Sequence, residues 1–230
     1  MKIGILQAGH VPDELSARHG IYPDMFARML DGHGFTFESW AVVDGKFPAG
    51  IHVCDGWLIT GSKHGAYDPL PWIPPLEDFI RKAYRAGVPL VGICFGHQIM
   101  AQALGGKVEK FQGGWGVGRH RYRYHDGEEF ELHAMHQDQV TERPEEAHTL
   151  ASSEFCVHAA LAYRGNAISF QPHPEYNADF ARDLISTRAG TVVPSEQAAE
   201  AIRQLEGDLD SAKVAMRIAA FFKETRQAAA

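Results

Sequence analysis

Three cysteines in 230 residues are too few, and odd in number, for a disulfide framework; a reducing cytoplasm suits them better. No apolar run approaches membrane-spanning length, so no membrane association is expected. Basic side chains are the minority, 22 against 29 acidic, and the net charge of −7 argues against a nucleic-acid or anionic-membrane partner. There is no Walker-type phosphate loop, no internal repeat, and no low-complexity stretch beyond the final alanines. The strand-like Lys2-Ile3-Gly4-Ile5-Leu6-Gln7 begins at once, so no signal peptide is expected. What is present is a 45% apolar chain able to bury one substantial core, and a single domain over 1–230 is the simplest organisation.

Strand-like and helix-like segments alternate in the first half. Residues 2–7 read as a strand and 22–30 as a helix, with Met25, Phe26, Met29 and Leu30 on one face. Residues 35–43 are β-like. The nearly all-apolar 56–60 has the character of a strand buried on both faces of a parallel sheet. Residues 72–86 read as a helix with Pro74 and Pro75 in its first turn and Gly87 closing it, and 88–93 as another strand. The pattern predicts a three-layer, doubly wound α/β fold, mostly parallel, with helices on both faces and ligands at the carboxyl ends of the strands.

The last of those strands leads into Gly92-Ile93-Cys94-Phe95-Gly96-His97-Gln98, which opens the helix-like 98–104. Strand, sharp turn and helix in that order place a cysteine at the tip of a nucleophile elbow. Glycines flank it because strand and helix approach too closely for side chains. A helix N-terminus beside the sulfur favours the thiolate. The competing reading is a small buried core cysteine. Further on, the β-like 166–170 runs into Gln171-Pro172-His173-Pro174-Glu175. Prolines on both sides of His173 stop strand and helix alike, so the imidazole is presented from a stiff extended end. Glu175 is placed to return and hold the second ring nitrogen, giving a thiol nucleophile its base and the base its orienting acceptor. A turn histidine and a helix-capping glutamate are the competing readings of these two residues.

Together the two segments resemble the G-x-C-x-G-x-Q and H-P-E signatures of class I (triad) glutamine amidotransferases. The likeness extends over about 1–176, in order: Thr60-Gly61-Ser62, the cysteine elbow, Gly113-Gly114-Trp115-Gly116, His136-Gln137-Asp138, and His173-Pro174-Glu175. Within that family the chain is most similar to stand-alone members related to the amidotransferase part of GMP synthase, a group that includes γ-glutamyl peptidases. The resemblance implies a flavodoxin-like sheet and a Cys94–His173–Glu175 triad. It further implies an oxyanion hole from the backbone N–H groups of Gly61 and Phe95, and substrate contacts at Gln98, Trp115, Gly116 and Val117. The implied substrate is glutamine or another γ-glutamyl small molecule, cleaved through a Cys94 thioester. No cofactor or metal is implied. Family members usually pass ammonia to a synthetase; the chain leaves no length for a nucleotide-activating domain, so a partner receives it or the protein acts alone as a γ-glutamyl hydrolase. A non-catalytic relative that senses a ligand or binds a partner is the reading from another class. One departure is clear: family members commonly carry Gly-Gly-Pro where this chain has Thr60-Gly61-Ser62, which leaves the oxyanion loop less pre-set.

In the middle, Arg119-His120-Arg121-Tyr122-Arg123-Tyr124, the turn Asp126-Gly127 and Glu128-Glu129-Phe130-Glu131-Leu132 predict a hairpin insertion. The acidic strand neutralises the basic one, which weighs against a nucleic-acid surface. His133 and His136 lack a third ligand at a sensible spacing for a metal. Cys54 and Cys156 read as structural. Beyond the His-Pro-Glu stretch the chain predicts helices over 178–186, 195–205 (with Ser195 as N-cap) and 210–226. The part from about 190 to 230 forms a helical C-terminal extension whose Val214, Ile218, Phe221 and Phe222 stripe faces the sheet.

Overall fold

The computed structural model describes residues 1–228. In chain order the elements are β1 (Lys2–Leu6), α1 (Asp13–His19), α2 (Tyr22–Met29), β2 (Thr36–Trp40), β3 (Gly56–Ile59), α3 (Ile73–Arg85), β4 (Leu90–Ile93) and α4 (Phe95–Ala103). There follow β5 (Lys107–Lys110), β6 (Gly116–Tyr124), β7 (Glu129–His136), β8 (Asp138–Glu142), β9 (His148–Ser152), β10 (Ala160–Ala162) and β11 (Ala167–Phe170). The chain ends in α5 (Ala178–Arg188), α6 (Ser195–Arg203) and α7 (Ser211–Ala228).

The main sheet has the order β2-β1-β3-β4-β11-β10-β9-β6-β7. Its first five strands are mutually parallel and the other four join antiparallel. Every residue of β3, β4 and β11 is buried, as their unbroken apolar character predicts for strands covered on both faces. Side chains alternate between two cores. Trp57, Ile59 and Leu90 join Leu76, Phe79 and Ile80 of α3 and Phe95 and Ile99 of α4. Ile3, Ile5, Leu58 and Val91 face Phe26 of α2 and Val214, Ile218 and Phe222 of α7. The stripe of the last helix therefore closes the second face, as its spacing predicts. Gly4 of β1 leaves room for the Trp57 ring, whose Cη2 would lie 2.9 Å from a Cβ there.

The hairpin insertion forms as β6 and β7, with Gly127 at φ +92° in its turn. Its arginines are matched across the ladder: Arg119 and Arg121 with Glu131, Arg123 with Glu129. Several elements differ from the sequence expectation. α1 lies in a stretch without helical apolar spacing and buries only Leu15. β5 and β8 form a separate two-stranded sheet, β9 is partly polar, and β10 is only three residues long. The elbow helix begins at Phe95, three residues before the expected 98. Ser195 is the first helical residue of α6 and makes no capping hydrogen bond; the N-cap position belongs to Pro194. No helix among the described residues is long and apolar enough to cross a membrane.

Candidate active site

β4 and β11 are parallel neighbours, with Ile93 opposite Phe170, so the residues just past their carboxyl ends come together. Cys94 is one residue beyond β4, and its N–H donates to the Phe170 carbonyl at 2.8 Å. It sits at φ +54°, ψ −104°, the one non-glycine residue at positive φ among the described residues. That backbone region is sparsely populated by side chains and signals strain held by the surrounding structure. The flanking glycines are there for space. A Cβ on Gly92 would come within 2.5 Å of the Gly96 carbonyl carbon, and one on Gly96 within 2.9 Å of the Ile59 carbonyl carbon. Strand β3, strand β4 and helix α4 thus meet at backbone distance around the sulfur.

His173 leaves β11 through Pro172 and is tied back by one antiparallel bridge: its N–H donates to the His133 carbonyl at 2.9 Å. The ring is 2% exposed. Nδ1 lies 2.8 Å from Glu175 Oε1, and the ring stacks on Tyr176 with centroids 3.9 Å apart and planes 7° from parallel. Nε2 is buried with no hydrogen-bond partner among the described residues. Burial alone pushes the imidazole down, but the negative charges of Glu175 and Cys94 outweigh it and hold the pKa up, to about 10. The charged imidazolium is therefore the favoured form between a carboxylate and a sulfur. Glu175's side chain is fully enclosed, and its Oε2 has no hydrogen-bond partner among the described residues, so the carboxylate's one hydrogen bond goes to His173.

Gly61, just past β3, lies between the two. A Cβ there would be 3.7 Å from Cys94 Cβ and 3.2 Å from His173 Cε1. Its N–H has no partner among the described residues. The N–H of Phe95, first residue of α4, has no preceding helical carbonyl to bind. Cys94 and His173 both line a cavity of about 280 Å³, together with Gln98, Trp115 and residues of the loop after β3.

The remaining expected contacts divide. Gln98 lines the cavity, yet its amide already donates to the Asp138 carbonyl at 2.9 Å and to Gln171 Oε1 at 3.1 Å. Trp115 lines the cavity, its carbonyl accepting from Gln197 Nε2 at 2.6 Å. Gly116 and Val117 begin β6 behind it, where the Val117 side chain packs with Ala181 and Ile185 rather than into the cavity. His133 and His136, three apart on β7, point to opposite faces; burial lowers their pKa values to about 4 and about 3, leaving both neutral. Burial pushes the Cys54 and Cys156 thiols up, to about 11 and about 12, as suits inert core sulfur. Sequence reasoning missed the Tyr176 platform, whose only signal is its place one residue after Glu175. It also missed Tyr22, which reaches Tyr176 from α2 at 3.5 Å.

Comparison with known proteins identifies the family. A sequence model of the class-I glutamine amidotransferases matches residues 53–185. γ-Glutamyl peptidase 4 of Arabidopsis thaliana is 34% identical over 194 residues, 76% of each chain. The glutamine-hydrolysing GMP synthase of an Azoarcus strain is 30% identical over 76% of this chain but only 34% of its own length. The crystal structure of a glutamine amidotransferase from Methylobacillus flagellatus superposes with a TM-score of 0.74 at 25% identity, covering 98% of this chain and 94% of that one. A match spanning more than half of the sequence, joined to an almost full-length structural likeness, makes this chain a member of the class-I glutamine amidotransferase family.

Proposed function

We propose that the protein hydrolyses the γ-amide bond of glutamine or of a γ-glutamyl compound, with Cys94 as nucleophile, His173 as acid and base, and Glu175 as its orienting carboxylate. The observation that carries the reading is the strained Cys94 backbone, which faces the buried His173–Glu175 pair across the Gly61 loop. The Cys94 thiolate attacks the γ-carbonyl carbon, and the carbonyl π electrons move to oxygen. Free N–H groups of Phe95 and Gly61 donate to that oxyanion, a contribution of about 3 kcal/mol per donor. When the C–N bond breaks, the Nε2 proton of the imidazolium passes to the departing nitrogen, leaving a γ-glutamyl thioester. The now neutral His173 takes a proton from water, hydroxide attacks the thioester, and glutamate leaves as the thiolate returns. Glu175 accepts the Nδ1–H throughout and stabilises the charged ring. The stacked Tyr176 fixes its plane.

The γ-glutamyl peptidase relatives match over most of their own length, which supports water as the acceptor within a self-sufficient hydrolase. The GMP synthase match supports a second reading, in which ammonia passes to a separate synthetase. Release of ammonia from glutamine is compared with release of amino acid from γ-glutamyl dipeptides. Labelling by a glutamine-mimicking electrophile, mapped by mass, is expected at Cys94. Labelling at Cys54 or Cys156 instead refutes the site.

A further inference from the structure

The rim of the cavity around Cys94 carries an excess of unmatched positive charge on an otherwise acidic protein. Lys63 comes from the loop after β3, Lys110 ends β5, and Arg188 ends α5; all three line the cavity that holds the sulfur. None forms an ion pair among the described residues. Most cations elsewhere are ion-paired, as for Arg18, Arg119, Arg121, Arg123 and Arg182, and those that are not, such as Lys46 and Arg85, do not line this cavity. The half-buried Arg188 is near enough for its charge to act on the Tyr22 hydroxyl, and Tyr22 in turn meets Tyr176 beneath His173. Two carboxylates, Asp68 and Asp138, share the same cavity.

A γ-glutamyl head group brings one ammonium and one carboxylate. Two carboxylates on the wall are ample for the ammonium. One cation satisfies the α-carboxylate and a second is offset by the carboxylate that the ammonium does not use, which leaves one positive charge in excess. Glutamine has nothing further to offer it, since its leaving group is ammonia. Building on the hydrolase reading above, we propose that Lys63, Lys110 and Arg188 select γ-glutamyl peptides whose leaving group carries a free carboxylate, in preference to glutamine. The attraction belongs to the leaving-group side, so it raises the rate of thioester formation and leaves thioester hydrolysis untouched.

The test compares γ-glutamyl-alanine with γ-glutamyl-alanine amide, which differ in that single charge, and with glutamine. The intact protein should show kcat/KM at least tenfold higher for the free acid, the difference shrinking in 0.5 M salt as exposed charges are screened. Arg188→Gln should cut that preference roughly tenfold, as expected for losing a charge-assisted contact. Lys63→Ala and Lys110→Ala, at exposed positions, should each cut it by a factor of about 2–5. Arg188→Glu should push the preference toward the amide. Equal kcat/KM for acid and amide in the intact protein, with both turned over, overturns the selection and leaves the hydrolase reading standing. Failure to cleave any of the three substrates sinks both.

Discussion

Cys94 supplies a direct measure of strain at the elbow. At φ +54°, ψ −104° a side chain costs about 1–3 kcal/mol that glycine does not pay. Replacing Ala by Gly at an ordinary buried helix position loses about 0.5–1 kcal/mol in backbone entropy. The buried methyl adds a further loss of about 0.8 kcal/mol. At an ordinary site both terms disfavour glycine. At position 94 the strain relief opposes them, and the balance runs from about 0.8 kcal/mol in favour of alanine to about 1.7 kcal/mol in favour of glycine. Cys94→Gly and Cys94→Ala, both without the thiol, are compared by urea denaturation monitored by far-ultraviolet circular dichroism, with Ala101→Gly in α4 as the ordinary buried control. The glycine variant should fall no more than about 0.8 kcal/mol below the alanine variant at equal slope, and at the upper end of the balance exceed it, while Ala101→Gly should be destabilised by about 1.3–1.8 kcal/mol. If Cys94→Gly proves less stable than Cys94→Ala by about 1 kcal/mol or more, outside the balance just worked, the elbow holds no strain at this residue.

The other predictions concern neighbours of the sulfur and the far helix. Glu175→Gln should drop the His173 ring from its elevated pKa of about 10 toward or below 6.5, read by nuclear magnetic resonance of the imidazole; no change would deny the carboxylate its role. The linkage follows: because the folded pKa is raised, the pair's contribution to stability is full below about pH 6.5 and is lost as pH rises through about 10. The pH dependence of the urea midpoint over that window should flatten in the same variant. Gly61→Ala should slow turnover about tenfold, since a Cβ 3.2 Å from His173 Cε1 forces a shift of a few tenths of an ångström, while the melting temperature stays within roughly 2 °C. Gly96→Ala should cost about 3 kcal/mol or more by overpacking α4 onto β3, a loss visible in urea midpoints. Phe222→Ala, at a fully buried ring of α7, should cost about 3–5 kcal/mol, and a much smaller loss would mean the last helix is dispensable to the fold.

The site was legible where the chemistry is local. The elbow needs small residues at fixed offsets from Cys94, and the His173 loop needs prolines, so both leave marks in seven and five consecutive residues. The parallel strands were legible because β3, β4 and β11 are buried on both faces and their sequences say so. β9 and β10 were not, since they take their pairing from neighbours rather than from an alternating pattern of their own. α1 escaped because only Leu15 is buried, so its apolar face is one residue wide. Gln98 shows the limit of position without contacts: its place in the elbow suggests a substrate ligand, but tertiary structure has already engaged its amide with Asp138 and Gln171. Lys63, Lys110 and Arg188 are single residues in three distant segments, and only folding makes them neighbours.

The two reacting groups are moored differently. The amide of Cys94 is anchored to the parallel strands through Phe170, whereas the backbone of His173 is fastened to the outer hairpin by one bond to His133. Anything that frays the hairpin edge reaches the imidazole before it reaches the sulfur. Turnover should therefore fade at milder heat or lower urea than the bulk helical signal, so that a sample that looks folded by spectroscopy already contains silent molecules.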